Sequence, residues 1–210
     1  MTEVVSVQEG GDAARIALEE CIWDGGVAIF PADTLYGLAC DPLSGVAVER
    51  IHRIKGRDEG RSSAVMYFSA LAMRELLAGL GPRAREAVGA LLPGPVTLVV
   101  ANPEQRYPLA CREDPERLGV RLIEGPLTGM PLPVFQTSAN PSGYRAPASF
   151  ERIDPEIVEA ADLAIDGGEL GGSPSTVIDV GEIDSGGGWR ILCEGAMPAD
   201  EVDRRLSAVE

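Results

Sequence analysis

Histidine is almost missing from this sequence: His52 is the one copy in 210 residues. Cys21, Cys40, Cys111 and Cys193 are scattered, with no C-x-x-C pair among them. Together with His52 they make a poor zinc set, so no metal-ligating residues are expected. Reduced, mostly buried thiols suit a cytoplasmic protein. Positive charge is also scarce, with 18 Lys and Arg against 33 Asp and Glu and a net charge of −15. That balance, with aromatics at 5%, argues against a general, sequence-blind nucleic-acid binder. No run approaches the ~20 apolar residues of a membrane span. Met1-Thr2-Glu3-Val4 has no positive region ahead of an apolar stretch, so no secretion signal is expected. Neither a Gly-x-x-x-x-Gly-Lys-Ser/Thr loop nor a Gly-x-Ser-x-Gly elbow occurs, and no Ser–His–Asp set can be assigned.

The chain does hold enough apolar material for a sizeable core, 45% hydrophobic against 24% charged. Helical and strand patterns interleave without a long linker or repeat, which predicts one three-layer domain over residues 1–210. Asp12 to Asp24 reads as a helix stopped by Gly25-Gly26, and Val27 to Phe30 as a buried strand halted at Pro31. Pro31 to Leu38 reads as a loop beyond that strand end. Further strands are expected over 64–68, 96–101, 118–122, 133–137, 163–166 and 175–180, with Trp189 to Leu192 returning as a hairpin partner. Helices are expected after Ser69, from Gly81-Pro82 to Pro93, over 149–161 with Pro155 weakening the middle, and over 198–208 as an exposed terminal helix.

The stretch from Val46 to Arg61 organises the rest. Ser44 is placed to cap a helix on which Ala47, Ile51 and Ile54 recur at helical spacing. It empties into Lys55-Gly56-Arg57-Asp58-Glu59-Gly60-Arg61, three cations within seven residues. Glycine gives backbone freedom, and the cations give donors suited to an oligophosphate. A basic, solvated helix end is the plainer reading of the same residues.

Four groups sit at loop–strand or loop–helix junctions: Thr34; Lys55 with Arg57; Ser138 with Asn140, preceded by Thr137; and Ser175 with Thr176. Hydroxyls and an amide are neutral donors, while Lys and Arg neutralise phosphate charge. Arg121, in the apolar strand Val120-Arg121-Leu122, reads as a half-exposed edge side chain or as a partner for a ligand carboxylate. Ser138 to Gly143 has the composition of a turn, Tyr36 reads as core with its hydroxyl satisfied by backbone, and His52 as structural. Composition alone stops at a polyanion-binding pocket.

The order of these segments carries further. Phe30 to Leu38 (FPADTLYGL), Ile54-Lys55-Gly56-Arg57, Leu92 to Leu98 (LPGPVTL), Thr137-Ser138-Ala139-Asn140 with Ser142-Gly143, and Ser175-Thr176-Val177 resemble the YrdC-like threonylcarbamoyl-AMP synthases. The resemblance runs from about Val27 to Gly195. It implies an α+β, three-layer fold in which a twisted mixed sheet flanked by helices surrounds a deep concave pocket. The motif-bearing core would span about 12–197, leaving no room for the extra C-terminal domain of longer members. The activity implied is L-threonine, bicarbonate and ATP, with Mg2+, giving threonylcarbamoyl-AMP and pyrophosphate. The product would pass to partner proteins that make threonylcarbamoyladenosine in tRNA.

By motif, Lys55, Arg57, Ser138 and Asn140 would carry the reaction, and the same four with Thr137 would hold ATP. Thr34, Arg121 and Ser175 would face threonine. Two departures stand out. Ser62-Ser63 replaces a usual Pro-Leu, and Cys193-Glu194 replaces an Arg-Pro whose cation is expected to help with ATP. Arg61, Arg145 and Arg190 remain as cations to make up that charge. Two other readings go with the same residues: a double-stranded RNA or tRNA-binding module using the basic patch, and a divergent nucleotide binder without threonine-dependent activity.

Overall fold

Residues 2–56 and 62–207 are described in the computed structural model. Strand β1 (Glu3–Ser6) leads through a 3-10 turn into helix α1 (Gly11–Trp23), which buries Ala14, Leu18 and Ile22 at four-residue spacing. β2 (Ala28–Pro31) and β3 (Tyr36–Cys40) pair antiparallel, and both are buried along their whole length. Tyr36–Leu38 therefore belongs to a strand, where the sequence predicts loop. A strand covered on both faces shows no period-two alternation, which removes the signal that would have marked it.

Helix α2 (Gly45–Lys55) begins where expected, with Ser44 Oγ accepting from the Ala47 N–H. It ends at Gly56, whose φ of 55° is left-handed backbone that glycine enters at no steric cost. Arg57 to Arg61 lie outside the described residues. Next come β4 (Ala64–Tyr67), α3 (Arg74–Gly79), α4 (Pro82–Leu91), β5 (Val96–Ala101), the short α5 (Pro108–Cys111), β6 (Arg117–Leu122) and β7 (Val134–Ser138). The helix expected over 149–161 is two pieces, a 3-10 turn at Phe150–Arg152 and α6 (Pro155–Ala160). Pro155 opens α6 rather than weakening it, because a first-turn residue has no N–H to give up. Asp154 caps it by accepting from Glu156 N.

β8 (Leu163–Asp166), β9 (Thr176–Asp179), β10 (Arg190–Cys193) and α7 (Ala199–Leu206) complete the order. β10 returns antiparallel on β9, as the hairpin reading requires. α7 is less exposed than expected, since Val202 and Leu206 are buried in the core shared with α4. The ten strands form one mixed sheet in the order β1-β8-β2-β3-β7-β4-β6-β5-β9-β10.

The two faces of this sheet differ. One is sealed by apolar residues of α2, α3, α4, α6 and α7. The other is covered by α1 and by Ile123, Leu127 and Met130, but only over part of its width. Beyond that cover runs the cross-strand row Gln136, Ala64, Gly119 and Val99, each half-buried. β5 shows the asymmetry directly, with Val96, Leu98 and Val100 buried and Thr97, Val99 and Ala101 half-exposed. Small side chains at Ala64 and Gly119 keep this open half low, and it forms a concave floor. Among the described residues no helix is long and apolar enough to cross a membrane.

Candidate active site

A cavity of ≈ 220 Å³ opens over the floor, lined by Thr34, Arg121, Gln136, Thr137, Ser138 and Ser175 among others. Segments separated by more than a hundred residues thus meet. Thr34 comes from the β2–β3 connection, Arg121 from β6, Thr137 and Ser138 from the end of β7, and Ser175 from the residue before β9.

Lys55 is the only lysine in the chain, and it is 4% exposed at the last position of α2. Its amine donates to the main-chain carbonyls of Ser138 and Asn140, the latter at 2.6 Å. Ser142 N–H donates back to the Lys55 carbonyl at 2.8 Å. The end of α2 and the turn after β7 are therefore stitched from both sides. Asn140 tightens the turn further, its Nδ2 donating to Pro141 O at 2.8 Å and Tyr144 O at 2.7 Å. Its Oδ1 is buried without a hydrogen-bond partner among the described residues. Lys55 and Asn140 thus stand together, as the motif reading requires. Arg57 lies outside the described residues.

Arg121 is also 4% exposed, and β6 runs between β4 and β5 in the middle of the sheet. It is a buried central cation, where the sequence suggests a half-exposed edge residue. Its Nη2 donates to Asp33 Oδ1 and lies 3.5 Å from Thr34 Oγ1. Arg121 Nε and Asp33 Oδ2 are buried without partners among the described residues. Burial pushes the Asp33 carboxyl above its ordinary value, against the pull of Arg121. Burial likewise lowers Arg121, with Asp33 opposing. A charged pair held this dry, with one donor and one acceptor unspent, suits a ligand that carries both an anion and a cation. Ser175 Oγ lies 2.8 Å from Thr97 Oγ1, fixing that hydroxyl at the cavity wall.

Tyr36 is core, as expected. Its hydroxyl donates to Gly168 O at 2.8 Å and accepts from Gly167 N–H at 2.9 Å, and burial pushes it up to about 12. His52 is buried inside α2, in an edge-on contact with Phe135. Ser62 Oγ donates to Cys111 O at 2.8 Å and Ser63 N–H to Ala110 O at 2.9 Å, tying this segment to α5. Cys193 is exposed and in register with Val177, itself opposite Thr97, so the departure from Arg falls at the rim of the floor. Arg190 does not replace it: its Nε and Nη2 are 3.0 and 2.8 Å from Asp179 Oδ2. Arg145 is exposed, and Arg61 lies outside the described residues. Among the described residues no three His, Cys, Asp or Glu side chains converge into a metal set.

Sequence reasoning missed Asp33 and Gln136. Asp33 had a signal, because a cation inside an apolar strand needs a buried counter-charge. Gln136 had none, since an isolated Gln on a strand carries no pattern.

A family model of the Sua5, YciO and YrdC proteins, described as "Telomere recombination", matches residues 20–195. The chain is similar to the threonylcarbamoyl-AMP synthase of Pyrococcus abyssi, 29% identical across the whole of this chain and 62% of that protein. It therefore spans less than two thirds of that relative's length. A threonylcarbamoyl-AMP synthase of Thiobacillus denitrificans is 31% identical over 84% of this chain and 96% of its own. The crystal structure of P. abyssi Sua5 complexed with L-threonine superposes with a TM-score of 0.82 at 27% identity, over 98% of this chain and 60% of that one. E. coli YciO, at 24% identity, shares the fold with a TM-score of 0.77, over 96% of this chain and all of its own.

Proposed function

The chain belongs to the Sua5/YciO/YrdC family, and from that premise we propose that it joins L-threonine, bicarbonate and ATP into threonylcarbamoyl-AMP and pyrophosphate. One observation carries the reading. Arg121, on the cavity wall, is paired with Asp33, and Lys55 backs the Ser138–Asn140 turn whose Ser138 lines the same cavity. A zwitterionic amino acid fits the first and a triphosphate the second.

At the dipolar end, the unspent Arg121 Nε would donate to the threonine carboxylate, and Asp33 Oδ2 would accept from its ammonium. Thr34 and Ser175 add hydroxyl partners. Capture of bicarbonate forms an N–C bond and releases water and a proton, leaving a carbamate on the amino nitrogen. A carbamate oxygen then attacks the α-phosphorus, the bond to the bridging oxygen breaks, and pyrophosphate leaves. No covalent enzyme intermediate is needed, so alignment and charge neutralisation can supply the rate.

Lys55 would neutralise phosphate charge from behind the turn, Arg57 from its own loop, while Thr137, Ser138 and Asn140 would hold the nucleotide. Asn140 Oδ1 is the acceptor still available there. Magnesium would come in on the triphosphate, as it commonly does with few protein ligands. No residue is assigned to it. The product would pass to proteins that modify tRNA. The test is pyrophosphate release from ATP: the reading expects release only with threonine and bicarbonate together, and release indifferent to threonine overturns it.

A further inference from the structure

Gln136 is a polar cavity residue that neither the motifs nor the charged groups explain. It lies in β7 with Ser138 two residues on, so both side chains rise from the same face. Its cross-strand partners are Ala39 on one side and Ala64 on the other, too small to reach what it reaches. The amide leans over Gly37: a Cβ placed there would come within 3.1 Å of Gln136 Nε2 and 2.9 Å of the Phe30 ring. Gly37 itself is opposite Ser138. The Gln136 side chain therefore lies beside the Ser138 end, facing the stretch Thr34–Tyr36 that lines the same cavity. It makes no hydrogen bond to any described residue, although it is half-buried on the wall. A half-buried amide with unspent donors, between an amino-acid clamp and a phosphate end, is placed for the group that must lie between them.

We infer that Gln136 binds the bicarbonate-derived carboxylate, the carbamate that links the amino nitrogen to the α-phosphorus. The inference rests on the threonylcarbamoyl-AMP reading above. A neutral amide suits the role. It offers N–H donors to an anion whose oxygen must stay nucleophilic, without adding a charge that would compete with Arg121 for the amino-acid carboxylate. Gly37 is what lets the amide lie flat, and any side chain there would push it off the floor.

The experiment measures steady-state pyrophosphate release with each of the three substrates varied in turn, for wild type, Gln136→Leu, Gln136→Glu and Gln136→Asn. Glu keeps the length that packs over Gly37, Leu and Asn are each one atom shorter, and thermal unfolding of each variant reports whether the fold is kept. The inference expects the KM for bicarbonate to rise about tenfold or more in Gln136→Leu, the range expected when a hydrogen bond to a charged group is lost. Gln136→Glu should be worse, because it sets a like charge against the carboxylate. Gln136→Asn should recover part of the loss, and the KM values for threonine and ATP should stay within about twofold throughout. Unchanged bicarbonate KM in Gln136→Leu overturns the inference, as does a rise confined to threonine. A wild-type protein without threonine-dependent release overturns the parent reading and this inference with it, and that failure is visible before any variant is made.

Discussion

Lys55 and Arg121 are both cations and both 4% exposed, Arg121 on the cavity wall and Lys55 behind the turn that carries Ser138, yet burial is met in different ways. Arg121 faces a carboxylate, so its end of the cavity is electrically neutral and keeps one donor and one acceptor unspent. Among the described residues, the Lys55 amine meets main-chain carbonyls rather than a carboxylate. On the proposed function, the first arrangement would take a dipolar ligand and the second would back a phosphate site. The difference teaches that the counter-group of a buried cation, as well as the cation itself, bears on what a site would hold.

The largest expected effect comes from breaking the neutral end. Arg121→Ala leaves the half-buried Asp33 without its partner and should cost up to about 3 kcal/mol of stability in denaturant unfolding, together with threonine binding. Replacing both partners with apolar residues should restore much of the stability and none of the binding, because the uncompensated charge is then gone. Lys55→Met comes next. It strips the amine from two carbonyls and should cost about 1–3 kcal/mol while weakening ATP more than threonine.

pH separates the two kinds of carboxylate. Burial holds the Asp33 carboxyl above the usual value, so Asp33 takes up its proton before an ordinary carboxylate as pH falls. Threonine affinity should therefore drop at a pH above the ordinary carboxylate midpoint of about 3.9, and Asp33→Asn should bind threonine weakly with no such step. Asp179 behaves oppositely. Burial raises it, but Gly181 N–H, Arg190 and Arg117 outweigh that and hold it below its ordinary value. Its stabilising contribution is complete above the unfolded value near 3.9 and is lost as pH falls through the lowered one. Asp179→Asn should remove that acid-side loss and leave threonine affinity alone. Thr34→Ala should be the mildest, raising the threonine requirement a few-fold (about 1 kcal/mol) and sparing ATP.

Much of this was legible in the sequence where local chemistry decides. β5 and β8 fall on the expected residues, Ser44 caps α2, and Gly56 stops it. The order of the five motifs pointed to the fold and to the meeting of Thr34, Arg121, Thr137, Ser138 and Ser175 around one cavity. What was hidden is tertiary. A lysine at a helix end gives no hint that its amine turns back to carbonyls 83 and 85 residues away. β3 hid because it is buried on both faces, and α5 because four residues cannot show a period. The split of the 149–161 helix turned on Pro155 being a start, which composition alone leaves open.

Calorimetric titration of threonine and of ATP into wild type, Arg121→Met and Lys55→Met bears most directly on the two-ended cavity. The account predicts a crossover: Arg121→Met loses threonine affinity and keeps ATP, while Lys55→Met loses ATP affinity and keeps threonine. Equal loss of both ligands in both folded variants, or no loss in either, would contradict it.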